Sequence, residues 1–211
     1  MEKLKLYVTT HWQKLLDIYI FLNFLGWTAW QAYSAIKEHR FDFIEASFFI
    51  QNVVLTSLFL WRRPSKANDP VVFHQVIAMI AFFSGALFIG IPQTSDPLLK
   101  NSSLAIILLS NVLGILTLLN LGKSFGILIS YRKLQTKGLY SIVRHPMYAT
   151  DILLRIGFLI SHFTIYTCAI FVISTICYVY RVFLEENFLK SQTEYALYVQ
   201  SVKYRFIPYI F

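Results

Sequence analysis

Charged side chains are scarce in this sequence. Only 14% of its 211 residues are Asp, Glu, Lys or Arg, whereas 56% are hydrophobic. A soluble domain of this length needs more charge than this to cover its surface. The composition therefore excludes an ordinary soluble protein and indicates an integral membrane protein, for which membrane lipids are the first expected partners.

Cysteine is also rare. The chain has two cysteines, Cys168 and Cys177, and both lie in its last long apolar stretch. Their separation on one helix corresponds to about 13 Å along the axis, which is too far for a disulfide bond. Metal binding would need further ligands that the sequence does not supply, so we predict no metal site.

Acidic residues are fewer than basic ones, and the net charge is +8. An excess of this size can indicate a nucleic-acid-binding protein, but that class carries a basic soluble domain that is missing here. The basic residues instead flank apolar runs, as they do in the cytoplasmic loops of membrane proteins. We therefore predict no nucleic-acid partner.

Long apolar runs dominate the chain and predict about six membrane spans. The first four runs cover residues 15–36, 43–61, 71–91 and 103–121. Each is close to the length of about 20 residues that crosses a bilayer. Residues 147–181 are too many for one crossing, because a straight helix of that length would exceed about 50 Å. We predict that this stretch is a helical hairpin that turns near residues 161–164.

Lys and Arg are unevenly distributed among the loops that these spans create. With both termini in the cytoplasm, 15 of the 19 fall in cytoplasmic segments and three in outer loops. We predict an all-α, polytopic helical bundle, N-in and C-in, in a bacterial inner membrane or the endoplasmic reticulum. Residues 1–120 would form about four N-terminal spans, and residues 121–211 a core whose site faces the cytoplasm.

The densest group of basic, histidyl and aromatic residues is GLYSIVRHPMYATD, residues 138–151. Pro146 disfavours helix at the residue before it and suits the first turn of a helix, so a helix is expected to begin there. Arg144 and His145 then lie at the mouth of that helix. They either bind a carboxylate or phosphate, or anchor the chain at lipid headgroups.

A second polar group, RVFLEE at residues 181–186, follows the predicted hairpin. Glu185 can pair with Arg181, because the i, i+4 spacing brings their side chains together. Alternatively, Glu185 or Glu186 receives an ammonium group from a ligand. The tail, residues 194–209, is amphipathic and rich in tyrosine, which is typical of an interfacial helix or of a lid over a lipid-facing site.

Four short motifs resemble the membrane methyltransferases of the isoprenylcysteine carboxyl methyltransferase and phospholipid methyltransferase type. They are LGKSFG at 121–126, GLY at 138–140, RHPMY at 144–148 and the glutamate pair at 185–186. The resemblance covers about residues 118–211, and the residues before it show only spans. Thr150 stands where the family has glycine. If that glycine allows close approach to a ligand, a β-branched side chain would narrow the pocket or change its substrate.

The resemblance implies S-adenosylmethionine bound between the Arg-His-Pro helix start and the glutamate pair. The implied cofactor-binding residues are Tyr140, His145, Pro146, Tyr148, Glu185 and Glu186. A glutamate would take the ammonium of the cofactor, and the helix start with its histidine would hold the carboxylate. The tyrosine faces would pack on the adenosine or on the sulfonium cation.

The implied reaction is methyl transfer to a lipophilic acceptor, with Arg144 as the catalytic residue that orients it. A carboxylate such as that of a prenylated cysteine needs no base, whereas an amine needs deprotonation by a residue that we do not identify. Two alternatives stay open. The Arg-x-Pro-x-Tyr element and the tail at 203–209 are also similar to sterol reductases, which use NADPH. A relative can also keep the fold as a non-catalytic lipid-binding protein.

Overall fold

The computed structural model describes residues 2–38, 43–88, 91 and 94–210, with side-chain surroundings from residue 14 onward. The described part is mostly helical, as predicted. Its α-helices are α1 (Glu2–Lys37), α2 (Phe43–Trp61), α3 (Val72–Phe83), α4 (Pro97–Leu121), α5 (Pro146–Ser161), α6 (Ile165–Leu189) and α7 (Thr193–Ser201). A 3₁₀ turn, Ser84–Phe88, continues α3.

The apolar runs coincide with helices, although the bounds differ. Three helical segments are long and apolar enough to cross a membrane: α2, α6, and α4 with the turn after it (Pro97–Ser124). The helical segment Val72–Phe88 is apolar but shorter. The expected total of six spans and the N-in, C-in orientation stay predictions. Residues 89–90 of the third run lie outside the described residues.

The predicted hairpin turn is confirmed. α5 ends at Ser161 and α6 begins at Ile165. Thr164 caps the second helix, because its hydroxyl accepts a hydrogen bond from the backbone N–H of Thr167 (3.1 Å). The Thr167 hydroxyl accepts the N–H of Thr164 in return (2.9 Å). This reciprocal capping box satisfies two donors that a helix start otherwise leaves unpaired.

Small residues allow α4 and α5 to pack closely. The Ser103 hydroxyl donates to the carbonyl of Gly157 (2.8 Å), and the Ser110 hydroxyl donates to the carbonyl of Thr150 (2.6 Å). A Cβ atom at Gly157 would lie 2.7 Å from the Ile107 side chain. In lipid the hydrophobic effect does not drive helices together. Their association depends instead on hydrogen bonds between helices and on the close packing that small residues allow.

Two buried arginines hold the C-terminal half of α3. Arg181 of α6 donates to the carbonyl of Ala78, and Arg155 of α5 donates to the carbonyl of Ala81, both at 3.0 Å. Each guanidinium also lies over a tyrosine ring. Cations are stabilising near the C-terminal end of a helix, which carries partial negative charge. Arg181 is therefore used inside the bundle, and it does not form the expected pair with Glu185.

A short strand pairing is the one departure from the predicted all-α chain in the described ranges. β1 (Ala67–Asn68) pairs antiparallel with β2 (Ser130–Tyr131). Backbone hydrogen bonds extend the contact on both sides, from Lys66 to Tyr131 (2.8 Å) and from Asp69 to Ile129 (3.1 Å). The loop after α2 is thereby joined to the segment between α4 and α5, a contact between residues too distant in sequence for a local pattern to indicate.

Replacing Gly157 by Ala should lower the thermal unfolding midpoint in detergent. The added methyl group would overlap Ile107, and overpacking of this kind costs about 1–3 kcal/mol. Gly26→Ala is the matched control, since nothing lies within 4 Å of its Cβ position and alanine favours helix. Equal midpoints for the two variants would contradict the close packing of α4 on α5.

Candidate functional site

A cleft opens where the segment between α4 and α5 meets the ends of α6 and α7. It encloses about 760 Å³ of empty space, which includes open solvent at its mouth. The aromatic part of its wall consists of Tyr131, Tyr140, Tyr148, Tyr195 and Tyr198. The charged part consists of Arg132, Lys133, Arg144, His145 and Glu185. Such a wall suits a ligand that is partly aromatic and carries charges.

Gly138 determines where the first tyrosine of the predicted site lies. Its φ of +62° is in the left-handed region that favours glycine, and a Cβ atom would collide with the side chain of Asn120. That side chain accepts the backbone N–H of Leu139 (3.1 Å). The 3₁₀ turn that begins here brings Tyr140 into the cleft wall, where its carbonyl accepts the Tyr198 hydroxyl (2.6 Å). Burial raises the pKa of the Tyr140 phenol, which is therefore protonated at neutral pH.

The predicted helix start at Pro146 is confirmed, and the tail lies against it. The backbone N–H groups of Arg144 and His145 donate to the carbonyls of Tyr204 and Arg205, both at 2.9 Å. These two donors precede the helix and are already used within the protein. The tail thus covers the beginning of α5, a position that the sequence alone did not indicate.

Glu186 is buried behind the cleft, where it contacts three basic side chains. Its Oε1 lies 3.0 Å from Arg144 Nε and 3.2 Å from His145 Nε2, and its Oε2 lies 3.0 Å from the guanidinium of Arg205. The Arg144 contact is an ion pair without good hydrogen-bond alignment. Buried charges require such compensation. One carboxylate therefore joins the beginning of α5, the end of α6 and the tail.

Glu185 has different surroundings from its neighbour, because it is half-buried and lines the cleft. Its Oε2 accepts a hydrogen bond from the Tyr148 hydroxyl (2.6 Å). The Tyr148 ring lies between the stacked imidazole of His145, 5.5 Å away, and the guanidinium of Arg181, 4.9 Å from its centroid. These contacts fix the tyrosine, which in turn fixes the carboxylate.

Thr150 does not line the cleft. Its hydroxyl donates to the carbonyl of Met147 (2.8 Å), and its own carbonyl accepts the Ser110 hydroxyl of α4. The residue that departs from the family pattern is therefore part of the contact between α4 and α5. A change of pocket width is not the direct effect of this threonine.

Several residues of the site were missed by sequence reasoning. They are Tyr131, Arg132, Tyr195, Tyr198 and Arg205. Tyr195, Tyr198 and Arg205 lie in the amphipathic tail, which the sequence predicts as an interfacial helix or as a lid over a lipid-facing site, without singling out these three residues. Arg132 had no distinguishing signal, because basic residues near an apolar run are what the positive-inside rule leads one to expect.

Comparison with known proteins identifies the central part of this site. Residues 99–194 match the family model of the phospholipid methyltransferases. This match over the central part of the chain supports the resemblance to membrane methyltransferases that the motifs indicated. The matched family segment includes the predicted site residues from Tyr140 to Glu186, whereas Tyr195, Tyr198 and Arg205 lie beyond it.

Among solved structures, the chain is similar to a eukaryotic intramembrane Ras methyltransferase, the isoprenylcysteine carboxyl methyltransferase. The identity is 24%, and the TM-score is 0.48. The similarity covers 80% of this chain, which spans 63% of that methyltransferase's length. No curated protein matches the chain at a significant level.

Replacing Glu186 by Gln should lower the free energy of unfolding by about 3–5 kcal/mol, because three basic groups would lose their buried counter-charge. The measurement is thermal or denaturant unfolding in detergent. Glu194→Gln is the control. That glutamate is exposed and accepts one hydrogen bond, from Tyr131 (2.9 Å), so its loss should cost much less. A Glu186→Gln protein as stable as the control would show that the carboxylate does not hold these segments together.

Proposed function

We propose that this protein is an S-adenosylmethionine-dependent membrane methyltransferase with a lipophilic acceptor. The observation that carries the proposal is the position of Glu185, a carboxylate in a tyrosine-lined cleft at the end of a membrane-crossing helix. The match to the phospholipid methyltransferase family supports the same reaction class. The NADPH alternative has no corresponding support from the comparisons.

The residues of the cleft fit the charged end of this cofactor. Glu185 uses Oε2 for the Tyr148 hydroxyl, while Oε1 accepts no hydrogen bond from any residue in the described ranges. An ammonium group carries three donors, so it can bind at that oxygen. The flat faces of Tyr140 and Tyr148 are suited to the adenine ring or the sulfonium.

When bound, S-adenosylmethionine supplies a methyl group on a positively charged sulfur, which makes that carbon electrophilic. The protein then has to align the acceptor with the methyl group and exclude water. The tail beside the helix start contributes to this exclusion, because Tyr204 and Arg205 cover the backbone at Arg144 and His145.

Arg144 is the residue that we assign to the acceptor. Glu186 contacts its Nε, whereas its terminal nitrogens make no hydrogen bond within the described part of the chain. Two parallel N–H groups match a carboxylate, which needs no base before it attacks. We therefore infer a lipophilic carboxylate, such as that of a prenylated cysteine, as the acceptor. Glu186 acts as a positioning residue that holds this arginine from behind, and Arg205 contacts the other oxygen of that carboxylate.

The cofactor assignment is tested by calorimetric titration of the detergent-purified protein with S-adenosylhomocysteine, with NADPH as the parallel ligand. We expect the first to bind and the second not to bind. Glu185→Gln should weaken S-adenosylhomocysteine binding by about 10- to 100-fold while leaving the unfolding midpoint close to that of the wild type, since a charged hydrogen bond contributes about 1.5–3 kcal/mol. Unchanged affinity in this variant would remove the ammonium role of Glu185.

The acceptor assignment is tested with Arg144→Lys and N-acetyl-S-farnesyl-cysteine as the probe substrate. Lysine keeps the charge but loses the planar fork, so kcat/KM for the probe should fall at least about tenfold while affinity for S-adenosylhomocysteine changes little. A large loss of cofactor affinity would instead assign Arg144 to the cofactor site. A wild-type protein that binds the cofactor but does not methylate the probe would contradict the prenylated carboxylate as acceptor.

A further inference from the structure

Arg132 is a basic residue of the cleft wall that neither the motifs nor the proposed function use. It is buried, with 9% of its surface exposed. Its Nε donates to the carbonyl of Arg63 (3.0 Å), and its Nη1 contacts the hydroxyl of Ser130. Its Nη2 has no hydrogen-bond partner in the described residues, and this atom is not shielded from solvent. One edge of the guanidinium is thus fixed, and the other is available to a ligand.

A glycine in the neighbouring backbone leaves the space that this guanidinium occupies. Gly126 also lines the cleft, and a Cβ atom there would collide with Arg132 Nη1 and lie 3.5 Å from its Nη2. The β1–β2 pairing holds Ser130 beside them. The last glycine of the LGKSFG motif therefore has a physical role: it leaves the space in which the arginine side chain lies.

Arg132 and Glu185 bring opposite charges to one cleft. Both residues line the cleft, and burial lowers the pKa of Arg132 while the charge of Glu185 opposes that effect. They nevertheless form no direct ion pair within the described residues. A space bordered by a carboxylate on one side and a guanidinium on the other is complementary to an α-amino acid, which carries an ammonium and a carboxylate on the same carbon.

The donors at the helix start that the family resemblance implied for the cofactor's carboxylate are already engaged. The backbone N–H groups of Arg144 and His145 donate to the tail, and the Nε2 of His145 faces Glu186. Lys133 also borders the cleft, but its side chain is exposed. An exposed ammonium contributes little to a charged contact, whereas a buried guanidinium with a fixed edge is pre-organised for one.

We propose that Arg132 binds the carboxylate of the cofactor's amino-acid end, opposite the ammonium at Glu185. The inference rests on the proposed function, since it assigns one part of the same ligand. The family resemblance implied that His145 and the start of α5 hold the cofactor's carboxylate, and this proposal assigns that carboxylate to Arg132 instead. It also gives a physical reason for the glycine at position 126 of the LGKSFG motif, because an added Cβ there would collide with Arg132.

The test compares two ligands that differ in one group. S-adenosylhomocysteine carries both charges, whereas its decarboxylated analogue keeps the ammonium and lacks only the carboxylate. Arg132→Met should weaken calorimetric binding of S-adenosylhomocysteine by about 10- to 100-fold and leave binding of the analogue within about twofold. Glu185→Gln should weaken both ligands, because both carry the ammonium.

Lys137→Met is the matched control, since it removes an exposed charge of the same segment that does not line the cleft, and it should change neither affinity by more than about twofold. Gly126→Ala is the independent variant. It keeps the arginine but displaces its guanidinium, so it should also weaken S-adenosylhomocysteine selectively. This second variant keeps the proposal falsifiable if Arg132→Met does not fold.

Equal weakening of both ligands by Arg132→Met and by Gly126→Ala would overturn the proposal, because it would show a general role in shaping the wall. Unchanged binding of S-adenosylhomocysteine would overturn it as well. If the wild-type protein binds neither ligand, the proposed function itself fails and this assignment fails with it. The comparison of wild type and variants therefore separates the two failures.

Discussion

The contact between Glu186 and three basic side chains is the interaction on which the site depends. Arg144, His145 and Arg205 come from two different parts of the chain, and each lies within 3.2 Å of the same carboxylate. Without the acidic group, the positive charges of Arg144 and Arg205 would repel each other. Because the carboxylate is buried, the attraction is weakly screened by salt and water. The helix start, the helix end and the tail consequently behave as one unit.

The adjacent glutamates illustrate how two identical side chains acquire different functions. Successive residues of a helix point about 100° apart, so Glu186 faces the tail while Glu185 faces the cleft. Both oxygens of Glu186 contact basic side chains, so this residue has a structural role. Glu185 keeps one oxygen without a partner in the described residues, and that oxygen can accept a hydrogen bond from a ligand.

The buried arginines show a similar division. Arg155 and Arg181 donate to carbonyl groups of α3 and lie over tyrosine rings, so their charges are compensated inside the bundle. Arg132 is held on one edge only and borders the cleft. Burial alone therefore does not distinguish a structural arginine from one that is available to a ligand. The position of the unpartnered nitrogens does: those of Arg155 and Arg181 are buried, whereas Nη2 of Arg132 is accessible at the cleft.

Local patterns in the sequence were sufficient for the membrane class, the helix start at Pro146, the turn before Ile165 and the resemblance that the family match supports. Each depends on neighbouring residues, through apolar length, the geometry of proline, or a short motif. The surroundings of Glu186, the position of Thr150 between α4 and α5, and the presence of Arg132 in the cleft were decided by tertiary structure. Contacts between distant segments determine which way a side chain faces, and those contacts cannot be predicted from the neighbouring residues in the sequence.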